Sequence, residues 1–188
     1  VQRENGLYKI YYGERGNYIK PHIIMNNCYI SAGDLYNENA TASTYSALAR
    51  LPILQNVNIN YKEINENDST ALLCIVTCTP SKRQAITIEL EGTNSEGDFG
   101  VGTSIGYLHR NLFRGSELFN FKIYGTYEEL DGSFASFKNN YFEIGGETSI
   151  TFPRFMFPFL KHDLRRRLQA SSQLSVNYTF QRRPGQFT

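Results

Sequence analysis

The side chains able to do chemistry are few, and their spacing argues against catalysis. Glu89 and Glu91 stand two apart, a spacing that puts both carboxylates on one face of a strand and could pair them for general acid–base work. They lie in a run that alternates apolar and polar residues, where acids on the polar face line the lumen of a barrel. Lumen lining is the expected role. His22, His109 and His162 are scattered, and no strand-to-helix elbow presents a serine beside any of them, so no Ser/His/Asp triad is expected. Gly100-Val101-Gly102 has no helical pattern after it, so it reads as strand glycines against a crowded interior and not as a phosphate loop. Cys74 and Cys78, as strand residues four apart, share a face about 13 Å apart, too far to bond each other. Only Cys28 could bridge to one of them, and the expected role of the three is that of small buried hydrophobes. No Cys-x-x-Cys or Cys/His set has zinc-ligand spacing. The expectation is a protein with no enzymatic activity, no metal and no cofactor.

Composition narrows the class further. The 188 residues suffice for one medium domain or two small ones. Lys plus Arg number 19 against 18 for Asp plus Glu, so the net charge of +1 gives no global field for attracting nucleic acid. The run Arg165 to Arg167 comes without a stacking platform, and no nucleic-acid partner is expected. Thirteen Tyr and thirteen Phe occur with no Trp, an aromatic excess that needs a cause. No stretch approaches the roughly 18 to 20 consecutive apolar residues of a membrane helix, which excludes a helical span and leaves a membrane barrel open.

The elements that must position these residues change character near residue 82. In 1–82, Ile19 to Ile30 is rich in β-formers and predicts a strand region broken by Pro21, followed by the turn Ala32-Gly33-Asp34. A helix is predicted next. Asn37 or Asn39 caps it, Ala42, Tyr45, Leu48, Ala49 and Leu51 form its apolar face, and Pro52 stops it. Val57, Ile59 and Tyr61 then alternate with polar residues. After the turn Asn65 to Asp68, Leu72 to Thr79, with Leu73, Ile75 and Thr77, completes a hairpin. A small α+β module results.

In 83–188 the period becomes two from Gln84 onward and stays so for four or five segments. Ile86, Ile88 and Leu90 alternate with Thr87, Glu89 and Glu91. Phe119, Phe121 and Ile123 alternate with Asn120, Lys122 and Tyr124, as Phe142, Ile144 and Ile150 do with Glu143, Gly145 and Ser149. Leu174, Val176 and Tyr178 repeat the pattern, and Phe99 to Tyr107 supplies another segment. Segments of about 10 residues fit strands tilted across a hydrocarbon layer, with the apolar side facing lipid. A soluble β-rich module with a ligand cleft would turn that side inward, on strands nearer five or six residues. Five strands fall short of the eight of the smallest closed membrane barrels, so the chain reads as part of a longer protein. The turn Arg110 to Gly115 is expected to be a short barrel turn. The segment Phe152 to Gln169, mixing aromatics with Lys161 and Arg165 to Arg167, either lies in a headgroup layer or is a solvated connector.

Two stretches carry a resemblance. Ala32-Gly33-Asp34-Leu35-Tyr36, Thr44 to Leu51 and Leu54-Gln55-Asn56-Val57-Asn58-Ile59 look like a POTRA (polypeptide transport-associated) signature, with Leu54 where a Phe is usual. Glu91 to Gly102 and Tyr107 to Gly115 look like the first barrel hairpin of the BamA-like outer-membrane assembly family, and Phe152-Pro153-Arg154-Phe155 and Gln181-Arg182-Arg183-Pro184 resemble its Bacteroidetes-type members. The resemblance implies an α+β POTRA module (1–82) followed by antiparallel β-strands of a partial transmembrane β-barrel (83–188). It implies a factor in the outer membrane of a Gram-negative bacterium, with the module in the periplasm. Its implied partners are unfolded outer-membrane proteins, accessory outer-membrane lipoproteins and the lipid bilayer. A two-partner-type secretion pore for a dedicated substrate is the alternative. Clients would pair with the strands holding Val57, Ile59, Tyr61, Leu73, Ile75 and Thr77, and Ile86, Ile88 and Leu90 would lie on the lateral-gate strand. From a periplasmic N-terminus, the Asn94 to Gly97 and Leu130 to Asn140 loops would face outside and Phe152 to Gln169 the periplasm.

Overall fold

The computed structural model describes residues 9–13, 16–66, 69–95, 98–129, 140–154 and 170–182. The described chain is mostly antiparallel β-sheet with two short helices. It divides into two compact units. The first comprises the described residues of Val1–Arg83, Arg110–Glu117 and Phe152–Ser172; the second those of Gln84–His109, Leu118–Thr151 and Gln173–Thr188.

In the first unit, helix α1 (Pro21–Asn26) stands where a strand region was expected. Local β-propensity is overridden there. Pro21 at the first helical position presets φ and needs no donor, Ile23 N–H bonds Lys20 O at 2.9 Å, and Asn27 Nδ2 holds Ile23 O at 2.8 Å. The short helix is fastened by burial of Ile19 and Ile23. Helix α2 (Glu38–Ala49) begins at Asn37, whose side chain accepts from Asn39 N–H and Ala40 N–H. Its buried stripe is Thr44, Ala47 and Leu48, not the expected Ala42, Tyr45 and Ala49, which are exposed. Thr44 tolerates full burial because its hydroxyl is doubly used, donating to Ala40 O (2.8 Å) and accepting from Tyr29 N–H (2.9 Å). Strands β1 (Leu54–Glu66) and β2 (Ser69–Pro80) form the expected hairpin, in register Tyr61↔Cys74 and Val57↔Cys78, with an irregularity at Gln55. The core is Ile19, Ile23, Leu48, Leu51, Ile53 and Leu54, with Val57, Val76 and Cys78 packed against it. Among the described residues the three cysteines form no disulfide, and they are only partly buried, where small buried hydrophobes were expected.

The second unit is one sheet of five consecutive antiparallel strands, β3 (Gln84–Ser95), β4 (Asp98–Arg110), β5 (Leu118–Glu129), β6 (Asn140–Phe152) and β7 (Ser172–Arg182). Each has 11 to 13 residues, longer than the usual five or six. Register makes the two faces uniform. Ile88 pairs with Ile105 and Phe119 with Ile150 on one, while Glu89 pairs with Ser104 and Lys122 with Glu147 on the other.

Candidate functional site

Each face of the five-stranded sheet has its own chemistry. On the polar face, Glu89 Oε2 accepts from Lys122 Nζ at 3.0 Å and from Ser104 Oγ at 2.8 Å, joining β3, β4 and β5 through one carboxylate. Glu89 is thus held as half of an ion pair. Further along the face, Tyr124 OH and Thr179 Oγ1 lie 2.8 Å apart. Glu143 accepts from Gln181 Nε2 at 3.1 Å and from Tyr141 OH. The ring of Tyr124 lies on Gly145, where an added Cβ would collide with it, so that glycine is a seat for the ring. Gly100 is buried, and an added Cβ there would strike Thr93 Oγ1.

The opposite face is apolar and open. Ile88 is 69% exposed, Phe121 39%, Ile144 45% and Val176 61%, and Ile86, Leu90, Ile123, Phe142, Leu174 and Tyr178 are exposed with them. Phe119 and Ile150 are half-buried, Phe119 with its ring against Tyr107. In water such a face would be a large unsatisfied apolar patch. Among the described residues, β3 and β7 each have one hydrogen-bonded neighbour, so each offers an edge of backbone donors and acceptors.

The hairpin of the first unit presents the other expected pairing site, and its six candidate residues divide between its faces. Val57, Ile59 and Tyr61 are half-buried on the core side. Tyr61 packs edge-on to Tyr36 at 5.0 Å, and its hydroxyl lies 2.5 Å from Thr41 Oγ1. Burial raises the Tyr61 pKa, keeping the phenol protonated. Leu73, Ile75 and Thr77 point the other way, exposed. Pairing through an edge uses backbone groups, which the division of side chains leaves intact; among the described residues each strand of the hairpin has one such edge.

Sequence reasoning missed the turn Asn111 to Glu117. Expected as a plain barrel turn, it is built into the first unit. Asn111, Arg114 and Ser116 all have positive φ (81°, 65° and 64°), a conformation that costs most residues about 1–2 kcal/mol. Side chains hold it there. Asn111 Oδ1 accepts from Ser116 N–H at 2.9 Å while its Nδ2 donates to Tyr18 O at 2.6 Å. The buried Glu117 carboxylate accepts from Phe113 N–H (3.0 Å) and Gly115 N–H (3.1 Å). Ser116 Oγ accepts from Ile53 N–H at 3.2 Å, Arg114 Nη2 donates to Asn17 O at 2.6 Å, and Lys20 N–H donates to Arg114 O at 2.9 Å. The available signal was the polar run Arg-Gly-Ser-Glu after Asn111, too rich in hydrogen-bonding groups for a solvated turn.

Among the described residues no set of three His, Cys, Asp or Glu is placed to hold a metal ion, and no helix is long and apolar enough to cross a membrane. The Leu130 to Asn140 loop apart from Asn140, the tip Glu96-Gly97 and most of Phe152 to Gln169 lie outside the described residues, and with them the expectations placed there. No protein-family model matches the chain, and no curated protein sequence matches it.

Proposed function

We propose that this chain is the junction of an outer-membrane protein assembly factor, a POTRA-like module followed by the first five strands of a BamA-like transmembrane barrel. The observation that carries the reading is the exposed apolar face of the five-stranded sheet, set against a polar face cross-linked by Glu89–Lys122 and Tyr124–Thr179. That division suits lipid outside and a wet lumen inside. Strands of 11 to 13 residues suit a tilted crossing of the hydrocarbon layer. Further strands of the full-length protein would pair with the edges of β3 and β7, since an open edge in lipid leaves backbone groups unsatisfied. The module stands in the periplasm, takes unfolded clients as an added strand along β1 or β2, and passes them to a lateral opening beside β3; accessory lipoproteins assist. The work is strand templating, with no bond made or broken.

The test is client insertion. Full-length protein in lipid vesicles should speed the conversion of an unfolded outer-membrane protein to its urea-resistant form. Ile88→Pro, which removes a β3 donor, should lower that rate while leaving the fold of the first unit intact. Equal rates for vesicles with and without the protein would refute the reading.

A further inference from the structure

The apolar face of the five-stranded sheet has a definite height. Every second residue of a strand lies on it, so its ends can be read strand by strand. On β3 the run Ile86 to Leu90 is closed by Gln84 and Asn94, and on β7 the run Leu174 to Phe180 is closed by Ser172 and Arg182. On β5 and β6 the face turns polar at Glu129 and Asn140, which are partners in register. At the opposite end Gln84 pairs with His109 of β4. The boundaries therefore run across the sheet, level from strand to strand.

Aromatic rings stand just inside both boundaries. At one end Tyr127 and Phe142 are register partners, and a Cβ added to Gly100 would lie 3.4 Å from Tyr127 O, which sets Phe99 beside them. Gln181 Nε2 reaches Glu143, so Phe180 joins the same row. The Tyr127 hydroxyl accepts from Asn140 Nδ2, giving the ring an apolar body and an engaged polar tip at the boundary. At the other end the Tyr107 ring lies 6.5 Å from that of Phe119 and 6.4 Å from that of His109. Between the rows the face is mainly aliphatic, with Val101, Ile105, Ile123 and Ile144 exposed and Phe121 and Tyr178 the ring-bearing exceptions. A protein partner would be met by aromatic anchors at the centre and a polar rim. Here the rings are at the margins and the aliphatics at the centre, the order in which a bilayer layers its own chemistry.

The height follows from the spacing of the rows. Phe119 and Tyr127 are eight residues apart on β5, as are Phe99 and Tyr107 on β4, about 26 Å at a rise of about 3.3 Å per residue. At a barrel tilt of about 35–45° this spans about 19–22 Å of membrane, against about 30 Å for the hydrocarbon core of a typical bilayer. We propose that this face fits a bilayer whose hydrocarbon layer is about 20 Å thick, with the two aromatic rows at its headgroup levels. The proposal rests on the membrane reading above and deepens it by fixing the acyl-chain length that the protein prefers.

The test uses the full-length protein in vesicles, with Ile144→Trp placing an indole at the middle of the face. Brominated phosphatidylcholine quenches that indole over the wild-type background, and competition by unbrominated phosphatidylcholines of 12 to 20 carbons gives their relative affinities. Affinity should peak at 12 to 14 carbons and fall about three-fold by 18 carbons. Glu129→Leu with Asn140→Leu extends the apolar run by one register pair and should move the peak to longer chains; Asn94→Leu does the same on β3, should the double variant fail to insert. Tyr127→Ala with Phe142→Ala removes two anchors and should flatten the dependence. A peak at 18 carbons or beyond, or a peak that neither extension moves, overturns the proposal. Absence of any quenching means that the face meets no lipid, and the membrane reading falls with it. Equal affinity for every chain length removes this proposal alone.

Discussion

Replacing Asn111 should loosen contacts far from it in sequence. Its side chain meets two backbone groups, Tyr18 O and Ser116 N–H, and the residue is 4% exposed. Asn111→Ala leaves both groups buried without partners, at about 1–3 kcal/mol each. It also forces alanine into the left-handed region at φ 81°, for about 1 kcal/mol more. The sum, about 3–7 kcal/mol, is comparable to the whole stability of a small domain, so Asn111→Ala alone could simply unfold the unit. Asn111→Gly separates the effects, since it loses the same hydrogen bonds but accepts the positive φ; it should be the milder by about 1 kcal/mol. Amide hydrogen exchange of the full-length protein reads the consequence at two places. Lys20 N–H is held by Arg114 O and Ile53 N–H by Ser116 Oγ. A local loss of about 2 kcal/mol would speed both amides roughly 30-fold. Unchanged exchange at Lys20 and Ile53 in both variants would refute the claim that Asn111 organises this turn.

Gly145→Ala should push the Tyr124 ring off its seat and break its contact with Thr179. In urea denaturation it should then couple to Thr179→Val by about 0.5–3 kcal/mol, and additive effects would argue against a shared seat. His22 gives a pH dependence: its folded pKa lies below its unfolded value of about 6.5, so the unfolded chain binds the extra proton in that interval. Stability from this residue is present above about pH 6.5 and is lost as pH falls through the folded pKa. His22→Gln should remove that acid-side slope from the unfolding midpoint. Cys74 and Cys78 have pKa values raised by burial, so iodoacetamide should modify both more slowly at pH 8 than it modifies an unfolded control; equal rates would contradict the packing.

What was legible in the sequence follows from the distance over which each structure is decided. Strand parity is local: once Phe121 faces one side, Lys122 faces the other, and the two-residue period of 83–188 therefore anticipated both sheet faces without knowledge of register. The Glu89–Lys122 pair spans 33 residues, but it follows from parity plus the order of adjacent hairpins. Helix α1 and the buried stripe of α2 were misread because the deciding partners were not local. Ile23 and Ile24 favour strands, yet Ile23 enters a core built from Leu48, Leu51 and Ile53, and Thr44 is admitted to the interior by a donor, Tyr29 N–H, 15 residues away. The turn at Asn111 is the extreme case. Its side chains close loops of 93 residues to Tyr18, 97 to Asn17 and 63 to Ile53, and no periodicity within the turn encodes those separations. A polar run held in three left-handed conformations is costly in isolation and is kept only where distant groups compensate. Where the Arg-Asn-Leu-Phe-Arg-Gly-Ser-Glu run recurs after a glycine-rich strand, the physical expectation is therefore a docked turn, with its partners sought upstream in the preceding α+β module.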